Sequence, residues 1–215
     1  MRVKFCGITR PEDAEHAADL GAWAIGLNHW AASPRRCDPA VAAEIGAALR
    51  RRLEVVGVFV NSTLDEVAAA AENESLTMVQ LHGDEGPAFC QEAARRTGLK
   101  VIKALRVRST ADIQAAAAHR TDFHLLDAHR PGTPGGTGES FDWELVRAHR
   151  GPVPVILAGG LRPDNVGEAI AAARPFAVDV ASGIESAPGV KDHTLMAEFA
   201  ENARRASATA SAAAR

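Results

Sequence analysis

Arg2-Val3-Lys4-Phe5-Cys6 runs into Gly7-Ile8-Thr9, and Pro11-Glu12-Asp13 follows at once. The first five residues are a short apolar run closed by glycine, the pattern of a strand. Thr9 ahead of Pro11, with two acidic residues in the next turn, predicts the start of a helix. A strand passing directly into a helix is half of a βαβ unit, and what decides the fold is whether the unit repeats.

It does. Apolar, β-branched runs recur at 2–6, 22–27, 54–60, 77–81, 100–105, 122–127, 153–157 and 176–180. Amphipathic, alanine-rich segments alternate with them at 11–20, 39–52, 64–71, 87–96, 110–119, 141–149, 163–173 and 192–205. Asp38 precedes Pro39, and Ser62-Thr63 precede Asp65-Glu66, so these segments also carry helix-start signals. Eight such units in a chain of 215 residues predict an α/β fold, a single (β/α)8 barrel over residues 1–205. A doubly wound open sheet is the rival. It is disfavoured because no GxGxxG follows the first strand and the spacing stays uniform. The alanine-rich end, 206–215, has no apolar period and is expected to be a disordered tail.

The net charge of −3 gives no sign of a nucleic-acid partner. Cys6, Cys37 and Cys90 are far apart and odd in number, with no CxxC pair, so neither a disulfide framework nor a zinc knuckle is expected. Free thiols fit a reducing cytoplasm. No apolar run is long enough to span a membrane, and the N-terminus lacks a signal-peptide pattern. The eight histidines form no HExxH or HxH, so no metal site is proposed. The pattern leaves a monomer or a homodimer open.

In a (β/α)8 barrel the chemistry lies at the C-terminal ends of the strands. Cys6 ends the first run; most free cysteines are small buried hydrophobes, but a thiolate here can remove a carbon-bound proton if its pKa falls toward neutrality. Asp127 ends the sixth, where burial would favour a proton-carrying general acid over a turn residue. Ala158-Gly159-Gly160-Leu161 and Ala181-Ser182-Gly183-Ile184 follow strands seven and eight, whose loops commonly hold phosphate through backbone N–H groups. Ser33-Pro34-Arg35-Arg36 offers Arg35 for bidentate grip of a carboxylate. His82 ends the fourth run and could reach a ligand. The loop 128–140, with Gly135-Gly136-Thr137-Gly138, is longer than a structural connection needs. Lys4 and Asp179 alternate with apolar neighbours on strands one and eight, and are expected to pair inside a closed barrel.

Read in order, these motifs resemble phosphoribosylanthranilate isomerase of tryptophan biosynthesis. The likeness runs through Val3-Lys4-Phe5-Cys6-Gly7-Ile8-Thr9, Val79-Gln80-Leu81-His82-Gly83, Leu125-Leu126-Asp127, Gly159-Gly160-Leu161 and Val178-Asp179-Val180-Ala181-Ser182-Gly183-Ile184-Glu185. It implies a cofactor-free Amadori rearrangement of N-(5-phosphoribosyl)anthranilate. Asp127 would be the general acid, Cys6 the general base and Arg35 the anchor of the anthranilate carboxylate. Gly159, Gly160, Ser182 and Gly183 would hold the phosphate. Two departures stand out: Leu27-Asn28-His29-Trp30 is more polar than the segment usual after strand two, and Ala181 replaces a serine. The related isomerase of histidine biosynthesis, a bifunctional form, and a non-catalytic phosphate-binding barrel are the alternatives.

Overall fold

The computed structural model describes residues 1–127 and 143–212. Eight parallel strands close in sequence order: β1 Arg2–Cys6, β2 Ala24–Asn28, β3 Glu54–Phe59, β4 Met78–Leu81, β5 Lys100–Arg106, β6 Phe123–Asp127, β7 Val155–Ala158 and β8 Ala177–Val180. Helices α1 Pro11–Asp19, α2 Pro39–Leu49, α3 Leu64–Asn73, α4 Pro87–Thr97, α5 Thr110–Ala115, α6 Val166–Ala173 and α7 His193–Ala212 cover the outside. No helix among the described residues is long and apolar enough to cross a membrane.

Several helix starts follow from local chemistry. Asp38 accepts from Ala40 N, and Thr63 with Glu66 forms a full capping box. Thr9 differs from expectation. Its hydroxyl donates to Gly189 O at 2.6 Å, and α1 begins at Pro11 without a side-chain cap. Some boundaries also move. The expected helix at 110–119 is α-helical only to Ala115 and tightens into a 3-10 turn, Ala116–Ala118. That turn brings His119 O to 2.7 Å from His124 Nε2. The described part of the expected helix at 141–149 is a 3-10 helix, Trp143–Ala148, and the loop 128–140 lies outside the described residues. At the other end α7 continues past Arg205 to Ala212, because alanine propagates a helix that packing has started. A hairpin, β9 Glu185–Ala187 with β10 Val190–Lys191, follows β8.

Strand alternation divides the molecule into two cores. One set of side chains faces the helices, among them Phe5, Ile25, Leu27, Leu81, Leu126 and Val178, all fully buried. The other set fills the barrel. Its apolar layers are built by Ala24, Val56, Met78, Ile102, Phe123, Leu125, Ile156 and Ala177. Trp23, Phe123 and Phe176 close the N-terminal end with ring centroids 5.3–5.6 Å apart, and the Arg2 guanidinium lies 4.2 Å over Phe176. Lys4 and Asp179 meet inside as the alternation predicts, in register across the β1–β8 seam and 2.7 Å apart.

Outside the barrel, His124 and His149 hydrogen-bond at 2.9 Å between β6 and the 3-10 helix after it. Burial holds the pKa values of His119, His124 and His149 below the ordinary imidazole range. Unfolded imidazoles take protons near pH 6.5 and these folded ones resist. Their contribution to stability is therefore complete above that range and lost as pH falls through it. The urea midpoint is expected to decline between about pH 7 and about pH 5, and a His124→Asn variant to show a shallower decline.

Candidate active site

The side chains at the C-terminal ends of the strands point into the barrel mouth for the same reason that the layers below fill it. Cys6 on β1, Asn28 on β2, Arg106 on β5, Asp127 on β6, Ala158 on β7 and Asp179 on β8 occupy inward positions of their strands, and His82 follows β4. Together with Arg35, Trp30, Gly159, Gly160 and Ser182 they line one cavity of about 500 Å³. Cys6 and Asp127, the two groups singled out for proton transfer, thus share a single space.

Cys6 sits at the floor of this cavity against the barrel interior. Gly26, its register partner on β2, makes the room. A Cβ there would lie 2.8 Å from Cys6 Sγ and 3.1 Å from Lys4 Nζ. Burial pushes the thiol pKa up, Lys4 and Lys191 pull it down, and burial wins. The condition set for a thiolate base, a pKa near neutrality, therefore has to be met against this burial. The other cysteines, Cys37 and Cys90, are buried and do not line the cavity. Cys37 is buried with its pKa pushed up to about 12 by burial and by Glu74.

Asp127 keeps part of its surface in the cavity and faces His82, Nε2 to Oδ2 at 3.6 Å. Gln80, buried beneath, donates from Nε2 to His82 Nδ1 at 3.0 Å.

Arg35 reaches the cavity from the loop after β2. Its stem passes over Gly7, where φ is +73° and a Cβ would come within 2.7 Å of Arg35 Cδ. Its Nε and Nη2 donate to Glu185 at 2.8 and 2.7 Å. The bidentate partner in the structure is thus this chain's own carboxylate, which takes Nε and Nη2. Glu185 also accepts from Lys191 Nζ at 2.9 Å, and Lys191 in turn donates to Ala181 O. Burial alone would raise the Glu185 pKa; Arg35 and Lys191 outweigh it and hold the carboxylate ionised below its ordinary range. The same loop is pinned by Asn28 donating to Ser33 Oγ and by Trp30 N donating to Asn28 Oδ1.

The segment 27–30 separates by direction. Asn28 and Trp30 line the cavity, and Trp30 is 46% exposed. His29 turns outward, stacked on Phe59 at 4.6 Å with Nε2 3.1 Å from Glu74. Its polarity therefore does not enter the cavity. On the opposite wall, Gly159 and Gly160 have φ of +95° and +65°, the left-handed region that favours glycine. A Cβ at Gly183 would overlap the Leu161 carbonyl, so this glycine lets the loops after β7 and β8 touch. Sequence reasoning missed Gly26, Arg106, Glu185 and Lys191 as site residues. Only Gly26 carried a local signal, as a lone glycine inside an apolar strand. Among the described residues no cluster of three or more metal-ligating side chains occurs.

A closed eight-stranded barrel with a thiol, a carboxylate and two glycine loops at one mouth defines a (β/α)8-barrel enzyme. The family described as N-(5'phosphoribosyl)anthranilate (PRA) isomerase matches residues 3–202, and the chain belongs to that family. An N-(5'-phosphoribosyl)anthranilate isomerase of Trichlorobacter lovleyi is 46% identical over 211 residues, covering 96% of this chain and 99% of the relative. The crystal structure of phosphoribosyl anthranilate isomerase from Thermotoga maritima superposes with a TM-score of 0.86 at 40% identity, over 95% of this chain and 99% of the other. A phosphoribosyl anthranilate isomerase solved with reduced 1-(o-carboxyphenylamino)-1-deoxyribulose 5-phosphate has a TM-score of 0.83 at 38% identity, with 95% and 99% covered.

Gly26→Ala tests how closely the floor is packed. The added methyl meets sulfur and ammonium at once, and overpacking of this kind costs about 1–3 kcal/mol. The melting temperature is expected to fall by several degrees, measured by circular dichroism, and Cys6 alkylation to slow at neutral pH.

Proposed function

We propose that this chain converts N-(5-phosphoribosyl)anthranilate to 1-(2-carboxyphenylamino)-1-deoxyribulose 5-phosphate, a step of tryptophan synthesis. The observation that carries the reading is that a nearly full-length match to the isomerase family coincides with Cys6 and Asp127 facing one cavity.

Asp127, as general acid, gives its proton to the furanose ring oxygen. The C1–O bond breaks, and the anilino nitrogen lone pair forms the iminium ion. The Cys6 thiolate, as general base, then takes the proton from C2. An S–H bond forms, the C–H pair becomes the C1=C2 bond, and the iminium pair returns to nitrogen. The resulting enolamine tautomerises to the ketone. The reaction needs an acid and a base in opposite protonation states, and a carboxyl and a thiol can supply them.

Binding energy comes from the two ends of the substrate. Arg35, which lines the cavity, suits the anthranilate carboxylate, and Glu185 holds the guanidinium plane. Trp30 offers an aromatic face at the same side. The backbone N–H groups of Gly160, Ser182 and Gly183, with the Ser182 hydroxyl, suit the phosphate, and Gly159 shapes the turn that brings them close. Anchoring both ends places the reacting carbons between sulfur and carboxyl. His82 fits as the group that orients Asp127.

The test is loss of fluorescence from freshly made, labile substrate. Cys6→Ala and Asp127→Asn are each expected to cut turnover by about 10²–10⁴ with the fold retained. Near-normal turnover in either variant contradicts its role. Arg35→Lys, which keeps charge and loses the planar fork, is expected to lower kcat/KM about ten- to a hundredfold, mostly through KM. An unchanged KM would remove Arg35 from the carboxylate.

A further inference from the structure

Lys4 and Cys6 stand two residues apart on β1, so both side chains enter the barrel from the same face. Gly26 faces them from β2, with its missing methyl group at 2.8 Å from sulfur and 3.1 Å from the ammonium nitrogen. The thiol and the ammonium therefore border one small hollow, on the same face of β1. Lys4 cannot turn away. Its side chain has no exposure, and Nζ is held by Asp179 Oδ1 at 2.7 Å. The ion pair keeps it charged: burial pulls its pKa down, but Asp179 and Cys6 outweigh burial and the ammonium lies above its ordinary range.

We propose that Lys4 is a positioning residue whose ammonium, fixed by Asp179, donates to the Cys6 sulfur and stabilises the thiolate that removes the substrate proton. The inference rests on the reading of Cys6 as general base and deepens it. A thiol at the floor of a packed barrel resists ionisation, and a fixed cation beside it is what offsets that resistance. The other charges around the sulfur do not replace Lys4. Asp179 on β8 opposes ionisation, while Lys191 on β10 is engaged by Glu185 and Ala181 O. Arg35 is tied to Glu185. His82, Arg106 and Asp127 stand across the cavity.

A purely structural Lys4, serving only to close the seam, would leave the sulfur indifferent to its removal. The two roles separate by titrating the thiol in the full chain. Iodoacetamide alkylation is followed against pH at the Cys6-containing peptide by mass spectrometry, which excludes Cys37 and Cys90. The comparison is Asp179→Asn against Lys4→Met/Asp179→Asn, so that the two proteins differ at position 4 alone. Loss of Lys4 is expected to move the alkylation midpoint to higher pH and to slow the reaction at about pH 8 by roughly fivefold or more. An unmoved midpoint in a folded double variant overturns the proposal. Should either variant fail to fold, the unaltered chain decides: the Lys4 Nζ nitrogen resonance is expected to track Cys6 titration and to lose that step in Cys6→Ala. A resonance indifferent to Cys6 overturns it equally. Neither readout uses turnover, so either failure leaves the base reading intact. Near-normal turnover of Cys6→Ala would instead overturn the base reading, and with it the thiolate's purpose.

Discussion

The ion pair between Lys4 and Asp179 joins the first and eighth strands inside the barrel, with Lys4 fully buried and Asp179 nearly so. A buried pair of this kind adds little net stability over an apolar pair, yet removing one partner costs about 3–5 kcal/mol because the other is stranded. Its value lies in what it fixes. The seam that closes the sheet is the same seam that carries Cys6, so barrel closure and placement of the thiol are one structural event. A chain of charges extends from there. Lys191, Glu185 and Arg35 link the hairpin after β8 to the loop after β2, with Glu185 shared between the two cations. Asp13 accepts from Lys191 N and from Arg10, and ties that hairpin to α1.

A second buried pair organises the opposite side of the mouth. Lys103 on β5 donates to Glu85 at 2.7 Å and to Gly83 O, while Glu85 accepts from Asn61 N and Gly83 N. The loops after β3 and β4 are thereby set, and His82 with them. The design is consistent around the barrel. Apolar layers fill the lower interior, and buried charges with several hydrogen bonds each hold the loops above. Backbone polar groups in those loops would otherwise be left without partners.

This division explains what could be read from the chain. Buried parallel strands are short apolar runs, so each strand was legible to within two residues at either end. Lys4 and Asp179 were legible as a pair because an isolated charge within such a run must find a partner. Strand-end position alone brought Cys6, Asp127 and His82 forward. What escaped depends on contacts distant in sequence. Arg35 gave no sign that Glu185, 150 residues later, takes two of its donors. The hairpin Glu185–Lys191 has too few residues to show alternation. His29 looked like a cavity residue until the turn of β2 put it on Phe59. The sequence placed the thiol but not its ionisation, which is set by burial and Asp179 against Lys4 and Lys191 and is revealed only by packing.

The central claim is convergence: sulfur and carboxyl reach one sugar chain whose two ends are held on opposite walls. The most direct measurement is a crystal structure of this chain with reduced 1-(o-carboxyphenylamino)-1-deoxyribulose 5-phosphate. The account predicts phosphate on the Gly160 and Ser182 loops, the ring carboxylate at Arg35 Nη1, and the ribulose carbons between Cys6 and Asp127. Phosphate bound elsewhere, or a sugar chain out of reach of either group, would contradict it.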